Sequence, residues 1–488
     1  MKRLDISFDW RAFSYTLLAV GIVAGVVTIT LNGATYAQAF LSHAPQEDTV
    51  IASNFSVPPP QATTTLGTLF STSSPPTIAP MTIAQSIPAQ GKFIAADLIK
   101  MKLYLYQDGT TTATYQILTK GKPGTPYETP AGSYTILTKE TDHFNKAENV
   151  HMPYSMEFYG NYFIHGWPTY ANGKPVASTY SGGCIRLSTS DAAKVFAFAN
   201  TGVNVFVYDT GASTSTPSIA IASIPLPDVS ADSYLVADVD NGDIYAEHDA
   251  TDARPIASVT KLMTTLVANE TIMFDQKITV PRGELKDTEV ATDTVPETFV
   301  VGDLLYPLLM ESNNNIAYTL AQRYGTDAFV AQMNEQAKAL DMASTTYVDA
   351  SGVSRENVST TEDLYRLAVY LANKKSFVWN ITRTPTKTIT AEDHSQYTFE
   401  NFNEFSNLDT FIGGKVGHTA AAQDTMVSVF EFPIGSVTHR VAIVVLGSKN
   451  FTTDTRALAD WFTQSSKDVS QTACASCSLK THFEKIQL

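Results

Sequence analysis

Short runs of alternating apolar and polar residues, separated by turn signals, fill residues 92–209. One run covers Lys102 to Tyr106 and ends at Asp108-Gly109, and another covers Ala131 to Leu137. Alternation places every second side chain on one face of a strand, so that this face can be buried. The pattern predicts an all-β sandwich over 92–209 with one helix, from Ser190 to Ala199.

The pattern changes after residue 230, where longer segments with helical spacing alternate with strand-like runs. A mixture of this kind is typical of helices packed against an antiparallel sheet. We predict an α+β domain over residues 231–466, followed by a C-terminal tail over 467–488. The predicted helices are Ser258 to Asn269, Ile316 to Tyr324, Phe329 to Leu340 and Thr361 to Ala372, and the strand regions are Ser233 to Ala246 and Met426 to Leu446.

The first forty residues have the pattern of a targeting segment. Lys2, Arg3 and Arg11 precede an apolar run over residues 13–31, which is long enough to cross a bilayer as a helix with its basic end in the cytoplasm. Ala37-Gln38-Ala39 also fits a signal-peptidase site, so a retained anchor and a cleaved signal peptide are both open. Either reading predicts that the rest of the chain lies outside the cytoplasmic membrane, in the cell envelope.

Two stretches rich in Pro, Thr and Ser separate the remaining blocks. Residues 41–91 include Pro58-Pro59-Pro60, and residues 210–230 include Pro217 and Pro225. Such sequences bury little apolar surface and stay extended. We therefore predict a spacer over 41–91 and a linker over 210–230, which divides the exported part into two domains.

Charge and cysteine content narrow the function classes. The net charge of -15, with no cluster of Lys and Arg, excludes a nucleic-acid partner. Of three cysteines, Cys474 and Cys477 form a Cys-x-x-Cys pair that favours a small disulfide in an exported protein. Cys184 is then the odd thiol, and its surroundings need an explanation.

Cys184 directly follows two glycines in the segment Ser181-Gly-Gly-Cys-Ile-Arg-Leu187. A tight turn there can direct backbone N–H groups at a bound carbonyl and stabilise an oxyanion. His165, in a strand-like segment upstream, is a candidate base for the thiol. Alone, a buried cysteine or histidine is more often an inert core residue, and a β-sandwich with both as core residues is the alternative interpretation.

Together these segments resemble the catalytic domain of the L,D-transpeptidases, also called the YkuD domain. His165-Gly166 and Ser181-x-Gly183-Cys184-x-Arg186 match its signature, and Thr129-Pro-x-Gly132-x-Tyr134 extends the likeness upstream. The resemblance implies that Cys184 is the nucleophile and His165 the general base. It also implies that Ser181, Gly183 and Arg186 shape the pocket and the oxyanion hole. The implied substrate is a tetrapeptide stem of peptidoglycan. Gly182 departs from the family, since many members have His there.

A second candidate site begins with Ser258-Val-Thr-Lys261 at the start of a predicted helix. Residues three apart share a helix face, so Lys261 can accept a proton from Ser258 if its pKa is lowered. Such spacing alone is usually an ordinary helix face. Here Ser312-Asn-Asn314 and Lys415-Val-Gly-His418 follow in order, as in penicillin-binding proteins and serine β-lactamases.

The chain from Ser230 to Phe462 resembles the low-molecular-weight D-alanyl-D-alanine carboxypeptidases of family S11. The resemblance implies that Ser258 is the acylated nucleophile and Lys261 its base, with Ser312 and Asn314 in the proton relay and substrate contacts. It further implies a carboxylate-binding Lys415, an oxyanion hole that includes the N–H of His418, and covalent inhibition by β-lactam antibiotics. Neither mechanism needs a metal or an organic cofactor.

One departure bears on activity. The family has Thr or Ser where this chain has Val416, and valine cannot donate a hydroxyl hydrogen bond to a substrate carboxylate. Loss of such a bond costs about 1.5 to 3 kcal/mol, or roughly ten- to a hundredfold in binding. Three interpretations of the serine domain remain open: a carboxypeptidase or endopeptidase, a degenerate module that binds stem peptides or β-lactams, and a β-lactamase.

Overall fold

A computed structural model describes residues 86–146, 148–209, 216–285 and 294–466. The predicted N-terminal anchor or signal peptide, most of the predicted spacer, and the Cys474/Cys477 pair lie outside these ranges. Within them, no helix is long and apolar enough to cross a membrane.

The first domain consists of two β-sheets and one helix. One sheet has the order β3-β2-β1-β10-β4 and the other the order β5-β6-β7-β9, with β8 beside β6. The helix α1 runs from Thr189 to Phe198. The strands are β1 (Lys92–Asp97), β2 (Lys102–Gln107), β3 (Thr110–Gln116), β4 (Gly132–Thr135), β5 (Thr138–Asn145), β6 (Val150–Tyr159), β7 (Tyr162–His165), β8 (Thr169–Tyr170), β9 (Ile185–Arg186) and β10 (Asn204–Tyr208).

The second domain packs helices on both faces of an antiparallel sheet with the order β12-β11-β21-β20-β19. Its strands are β11 (Ser233–Asp238), β12 (Ile244–His248), β13 (Arg254–Pro255), β14 (Lys277–Pro281), β15 (Pro296–Val300), β16 (Val358–Ser359), β17 (Thr386–Thr390), β18 (Gln396–Glu400), β19 (Phe411–Thr419), β20 (Gln423–Ile434) and β21 (Val437–Ser448). Its helices are α2 (Thr260–Thr271), α3 (Val301–Met310), α4 (Asn314–Tyr324), α5 (Thr326–Ala339), α6 (Thr361–Lys374), α7 (Phe377–Thr382) and α8 (451–466).

Alternation along the central strands explains why both faces of this sheet are covered. On β20, Val427 and Val429 face a core that includes Leu262 and Leu266 of α2. Met426 and Phe430, which precede and follow these two valines, belong to a separate cluster on the opposite face, with residues of α8. Successive side chains of a strand point to opposite faces, so both faces have to be packed. Helix α2, which carries the predicted serine motif, lies inside the domain and is buried along its whole length.

The predicted helices are confirmed, each to within a few residues, and the two predicted strand regions are the hairpins β11/β12 and β20/β21. Residues 216–230 have no regular secondary structure, but they pack against the second domain. Ala222 N–H donates to the Ser465 carbonyl, and Trp461 Nε1–H donates to the Ile224 carbonyl. Most of the predicted linker therefore follows the surface of the second domain.

The two domains share a buried interface. Gly132 has φ +152, and a Cβ there would lie 2.8 Å from the Ala339 carbonyl oxygen of α5. Lys375, after α6, is fully buried; its Nζ donates to the Glu128 carbonyl at 2.9 Å and lies 3.5 Å from the carboxylate of Glu270 in α2. Burial raises the pKa of Glu270 to about 7, and the Lys375 ammonium opposes that rise. Lys375 therefore joins the first domain, through the Glu128 carbonyl, to an ion pair inside the second domain. Removal of one partner of such a buried pair costs about 3 to 5 kcal/mol.

Candidate active sites

The cysteine site lies where two strands of the first domain run in parallel. Ile164 pairs with Ile185 and His165 with Arg186, so β7 and β9 are in register. Cys184 directly precedes β9, and side chains two residues apart share a face of a strand. The fold therefore brings Cys184, His165 and Arg186 to one cavity of about 500 Å³, which all three line.

The Cys184 thiol does not hydrogen-bond to His165 in this structure. Its S–H donates to the Asn161 carbonyl, with Sγ 3.8 Å from the oxygen. His165 is buried, and its Nδ1–H donates to the Gly166 carbonyl at 2.6 Å. Nε2 has no hydrogen-bond partner in the described part of the chain. The imidazole thus presents an unprotonated nitrogen, as a general base must.

Ser181 and Gly183 hold the turn before Cys184. Ser181 Oγ–H donates to the Cys184 carbonyl at 2.5 Å and accepts the Gly183 N–H at 3.1 Å. Gly183 has φ +117, and a Cβ there would lie 2.0 Å from Cε1 of Tyr162. Only glycine fits at that position. Because its N–H is already bonded to Ser181, Gly183 shapes the loop in this structure and has no free N–H for an oxyanion.

Arg186 is a buried cation beside the thiol. Its guanidinium lies over the Trp167 ring, 5.9 Å from the centroid, and Nη1–H donates to the Tyr180 carbonyl at 3.5 Å. Burial lowers the pKa of Arg186, but a guanidinium stays protonated near neutral pH. Its positive charge favours the thiolate of Cys184 and the unprotonated form of His165.

Burial dominates the titration of this pair. It raises the pKa of the Cys184 thiol to about 11 and lowers the pKa of His165 to about 3. Burial disfavours the charged form of each group, so both are neutral at pH 7 in the free protein. We expect the rate of Cys184 alkylation by iodoacetamide to rise about tenfold per pH unit from pH 7 to 10, because only the thiolate reacts.

Mass mapping of the alkylated peptide distinguishes Cys184 from Cys474 and Cys477. A rate plateau below pH 8 at Cys184 would contradict this expectation, since it would mean that an imidazolium–thiolate pair exists before substrate binds.

The serine site forms at the start of α2. Ser258 lies in a 3-10 turn (Ala257–Val259), and the Nζ of the fully buried Lys261 is 2.9 Å from Ser258 Oγ. The same Nζ donates to Asn314 Oδ1 at 2.7 Å and to the Ser351 carbonyl at 2.7 Å. A neutral amine can donate to two acceptors and accept from a hydroxyl. This geometry suits Lys261 to remove the Ser258 proton.

The loop between α3 and α4 supplies the second part of the site. Ser312 has φ +60, a conformation that costs a non-glycine residue energy and is found mainly at functional positions. Asn313 is the N-cap of α4, and its Oδ1 accepts the Ile316 N–H at 2.9 Å. The cap fixes the start of α4, so that Asn314 reaches Lys261.

Strand β19 supplies the third part of the site. A Cβ on Gly417 would lie 2.8 Å from the Ser258 nitrogen, so the strand passes directly beside the predicted nucleophile. Lys415 is buried, and its Nζ donates to the Val416 carbonyl at 2.7 Å. Burial lowers the pKa of Lys415 well below its usual range, and the nearby Lys261 lowers it further, because two adjacent ammonium groups would repel each other. The His418 side chain is exposed, and its ring pairs with Asp424.

Two residues that sequence reasoning gave no role complete the serine site. The Ser351 carbonyl accepts a hydrogen bond from Lys261. Gly352 has φ +85, and a Cβ on it would lie 1.9 Å from the carbonyl oxygen of Ala257. Both residues belong to the segment Asp349-Ala-Ser-Gly352. Its glycine is the feature of the sequence that could have indicated a close backbone contact. Among the described residues, no three His, Cys, Asp or Glu side chains converge as a metal site requires.

Two family models match these domains. The model of the L,D-transpeptidase catalytic domain matches residues 91–207, and that of the D-alanyl-D-alanine carboxypeptidase, peptidase family S11, matches residues 220–450.

Two curated relatives match the second domain. A D-alanyl-D-alanine endopeptidase of Pseudomonas aeruginosa is 35% identical over 198 residues, which cover 39% of this chain and 63% of that protein. The D-alanyl-D-alanine carboxypeptidase DacB2 of Mycobacterium tuberculosis is 30% identical over 214 residues, covering 42% of this chain and 72% of that protein. The chain thus spans slightly less than two thirds of the length of the first relative and more than two thirds of the second.

Among solved structures, penicillin-binding protein D2 from Listeria monocytogenes, in a cefotaxime-bound form, matches with 30% identity and a TM-score of 0.43. The match covers 49% of this chain and 99% of that one. From the sequence matches, the chain belongs to the D-alanyl-D-alanine carboxypeptidase family S11 and carries an L,D-transpeptidase catalytic domain before it.

Proposed function

We propose that this protein remodels peptidoglycan with two active sites, a cysteine L,D-transpeptidase and a serine D,D-carboxypeptidase or endopeptidase. The observation that carries the serine half is the triple contact of Lys261 Nζ with Ser258, Asn314 and the Ser351 carbonyl. The cysteine half is supported by the in-register strands that bring His165 and Cys184 to one cavity. The matched families support the substrate class.

At the cysteine site, Cys184 Sγ attacks the carbonyl before the terminal D-residue of a tetrapeptide stem. The S–C bond forms, the peptide C–N bond breaks, and the D-amino acid leaves with the thiol proton transferred through His165. The transfer requires the thiol to leave the Asn161 carbonyl, to which it donates in the free protein, and to turn toward Nε2. An acceptor amine then attacks the thioester, loses its proton, and regenerates the thiol. Arg186 and backbone N–H groups stabilise the developing negative charge.

At the serine site, Lys261 takes the Ser258 proton while Oγ attacks the carbonyl of the penultimate D-Ala. Lys415 binds the terminal carboxylate, Ser312 and Asn314 guide the proton and the substrate amide, and the N–H groups of Ser258 and His418 form the oxyanion hole. The peptide C–N bond breaks, the terminal D-Ala leaves with the proton held by Lys261, and water hydrolyses the ester to regenerate the Ser258 hydroxyl. The product is a tetrapeptide, which is the donor that the cysteine site requires.

Defined muropeptides followed by mass spectrometry test both halves. We expect the full chain to convert pentapeptides to tetrapeptides and to join tetrapeptide stems. Cys184→Ala should lose only the joining of tetrapeptide stems, and Ser258→Ala should lose only the conversion of pentapeptides to tetrapeptides. Unchanged products in either variant would refute the corresponding half of the proposal.

A second candidate function for the serine domain is a non-catalytic receptor for stem peptides, and Val416 is the observation that favours it. Its side chain packs against the apolar cluster under α8. Labelling with a fluorescent penicillin discriminates between the two. Covalent label that disappears in Ser258→Ala supports an active serine, whereas an unlabelled wild-type protein supports the receptor. A β-lactamase would in addition release the label rapidly.

Substitution of Val416 tests how much the missing hydroxyl limits the serine site. We expect Val416→Thr to raise kcat/KM for release of D-Ala roughly ten- to a hundredfold, because one hydrogen bond to a charged carboxylate is restored. Val416→Ala is the matched control, since it changes the packing without adding a hydroxyl. Equal rates for Val416→Thr and wild type would show that the hydroxyl does not reach the carboxylate.

The location outside the cytoplasmic membrane is also part of this proposal, with residues 1–40 as either a retained anchor or a cleaved signal peptide. Sequencing the N-terminus of the protein purified from cell membranes decides between them. An intact residue 1 supports the anchor, and a new N-terminus near residue 40 supports cleavage.

A further inference from the structure

The cavity at Cys184 is not enclosed by the first domain alone. Its wall includes residues 269–273 at the C-terminal end of α2, together with Gln276, all from the serine domain. Helix α2 starts just after Ser258, carries Lys261 in its first turn, and ends at this cavity. One helix thus contributes to both candidate sites.

Asn161 links the end of α2 directly to the thiol. Its side-chain Nδ2–H donates to the Thr271 carbonyl at 2.6 Å, and its own carbonyl accepts the S–H of Cys184. A single residue therefore contacts both the serine-domain wall and the predicted nucleophile.

Asn269 offers this cavity a buried acceptor. The residue is 5% exposed, and its Nδ2–H donates to the Pro126 carbonyl at 2.8 Å. Its Oδ1 has no hydrogen-bond partner among the described residues. An unpaired buried amide oxygen costs free energy unless a ligand or water satisfies it. The group that satisfies it has to donate a hydrogen bond, as a peptide or amine N–H does.

Met273 offers an apolar contact in the same wall. It has φ +73, a left-handed conformation that is unfavourable for a side chain of this size. The next element begins at Lys277, and the Gln276 N–H donates to the Met273 carbonyl at 3.3 Å. The turn therefore keeps a strained residue at the cavity, and such strain concentrates at ligand sites.

We propose that the serine domain supplies one wall of the stem-peptide site at Cys184, with Asn269 Oδ1 accepting a peptide or amine N–H and Met273 packing against the stem. This inference rests on the proposed L,D-transpeptidase function. The chemistry fits a stem peptide in either role, as the acyl donor or as the amine acceptor. The serine domain is then a structural part of the cysteine site and contributes to its specificity.

The test uses full-length variants that also carry Ser258→Ala, so that the serine site does not remove D-Ala from the stem peptides during the assay. We expect Asn269→Ala and Met273→Ala each to raise the KM for one stem about tenfold, with kcat changed less than threefold. Titration of the tetrapeptide donor and of the acceptor amine in turn identifies which stem contacts the wall. Lys277→Ala is the matched control, because Lys277 is exposed and does not line the cavity.

Alkylation of Cys184 by iodoacetamide in the same variants separates substrate contact from structural damage. The reagent is small, so its rate should stay within twofold of wild type if the wall only binds substrate. Unchanged KM values for both stems, or a fall in alkylation parallel to the loss of turnover, would overturn the proposal. A wild-type protein that forms no acyl-enzyme with the tetrapeptide would instead refute the proposed cysteine chemistry itself.

Discussion

Lys261→Ala should lower the rate of Ser258 acylation by about a hundred- to ten-thousandfold, the range typical of a lost general base. Lys261 Nζ joins Ser258 Oγ to both Asn314 and the Ser351 carbonyl. Its removal also deletes a hydrogen-bond donor to those two acceptors inside a buried site. The rate of labelling by a fluorescent penicillin measures the effect directly.

Two further variants distinguish loss of the general base from the general effect of replacing a lysine. Lys261→Arg keeps nitrogen donors at this position, but a guanidinium cannot act as a base, so it should be as inactive as Lys261→Ala. Lys338→Ala, at an exposed ion pair with Glu335, is the control for loss of a lysine. Thermal unfolding checks that each variant is folded. Acylation of a folded Lys261→Arg within tenfold of wild type would show that another group removes the proton.

Gly183→Ala should reduce transpeptidation at Cys184 at least about a hundredfold. The new Cβ would lie 2.0 Å from the Tyr162 ring, which is buried and stacked on Tyr159 and therefore cannot move aside. The turn has to shift instead and takes Cys184 with it. A displacement of about 1 Å at a reacting group costs on the order of a hundredfold in rate.

The neighbouring glycine provides the matched control for this change. A Cβ on Gly182 would meet only Glu148 Oε1, at 3.4 Å, and that flexible side chain can give way. Gly182→Ala should therefore keep transpeptidation within about threefold of wild type. Equal activity of the two alanine variants would contradict the steric argument.

Much of the architecture could be predicted because it follows from local periodicity. The alternation in residues 92–209 and the helical spacing after residue 258 led to the right classes of element. The site residues could be proposed because His165, Cys184, Ser258 and Lys261 lie within short motifs. The serine motif needs only one helical turn to bring its hydroxyl and amine together.

The remainder depends on contacts between distant segments, which periodicity does not encode. Nothing in the motif around Cys184 indicates that its thiol bonds to the Asn161 carbonyl or that the ring of His165 bonds to its neighbour. Lys375 is an ordinary lysine after a helix in sequence, and only the packed fold buries it beside Glu270. The short helix α7 was missed because six residues are too few for a periodic signal.

The close approach of the two domains at Gly132 restricts which substitutions each domain can accept. This glycine sits in a segment that fits the L,D-transpeptidase signature, yet its missing Cβ is what admits the Ala339 carbonyl of the other domain. Excised at residue 209, the first domain would present the buried ring of Tyr134 to water and leave Glu128 without its lysine. We therefore expect substitutions at this interface between the domains to be tolerated only as compensating pairs.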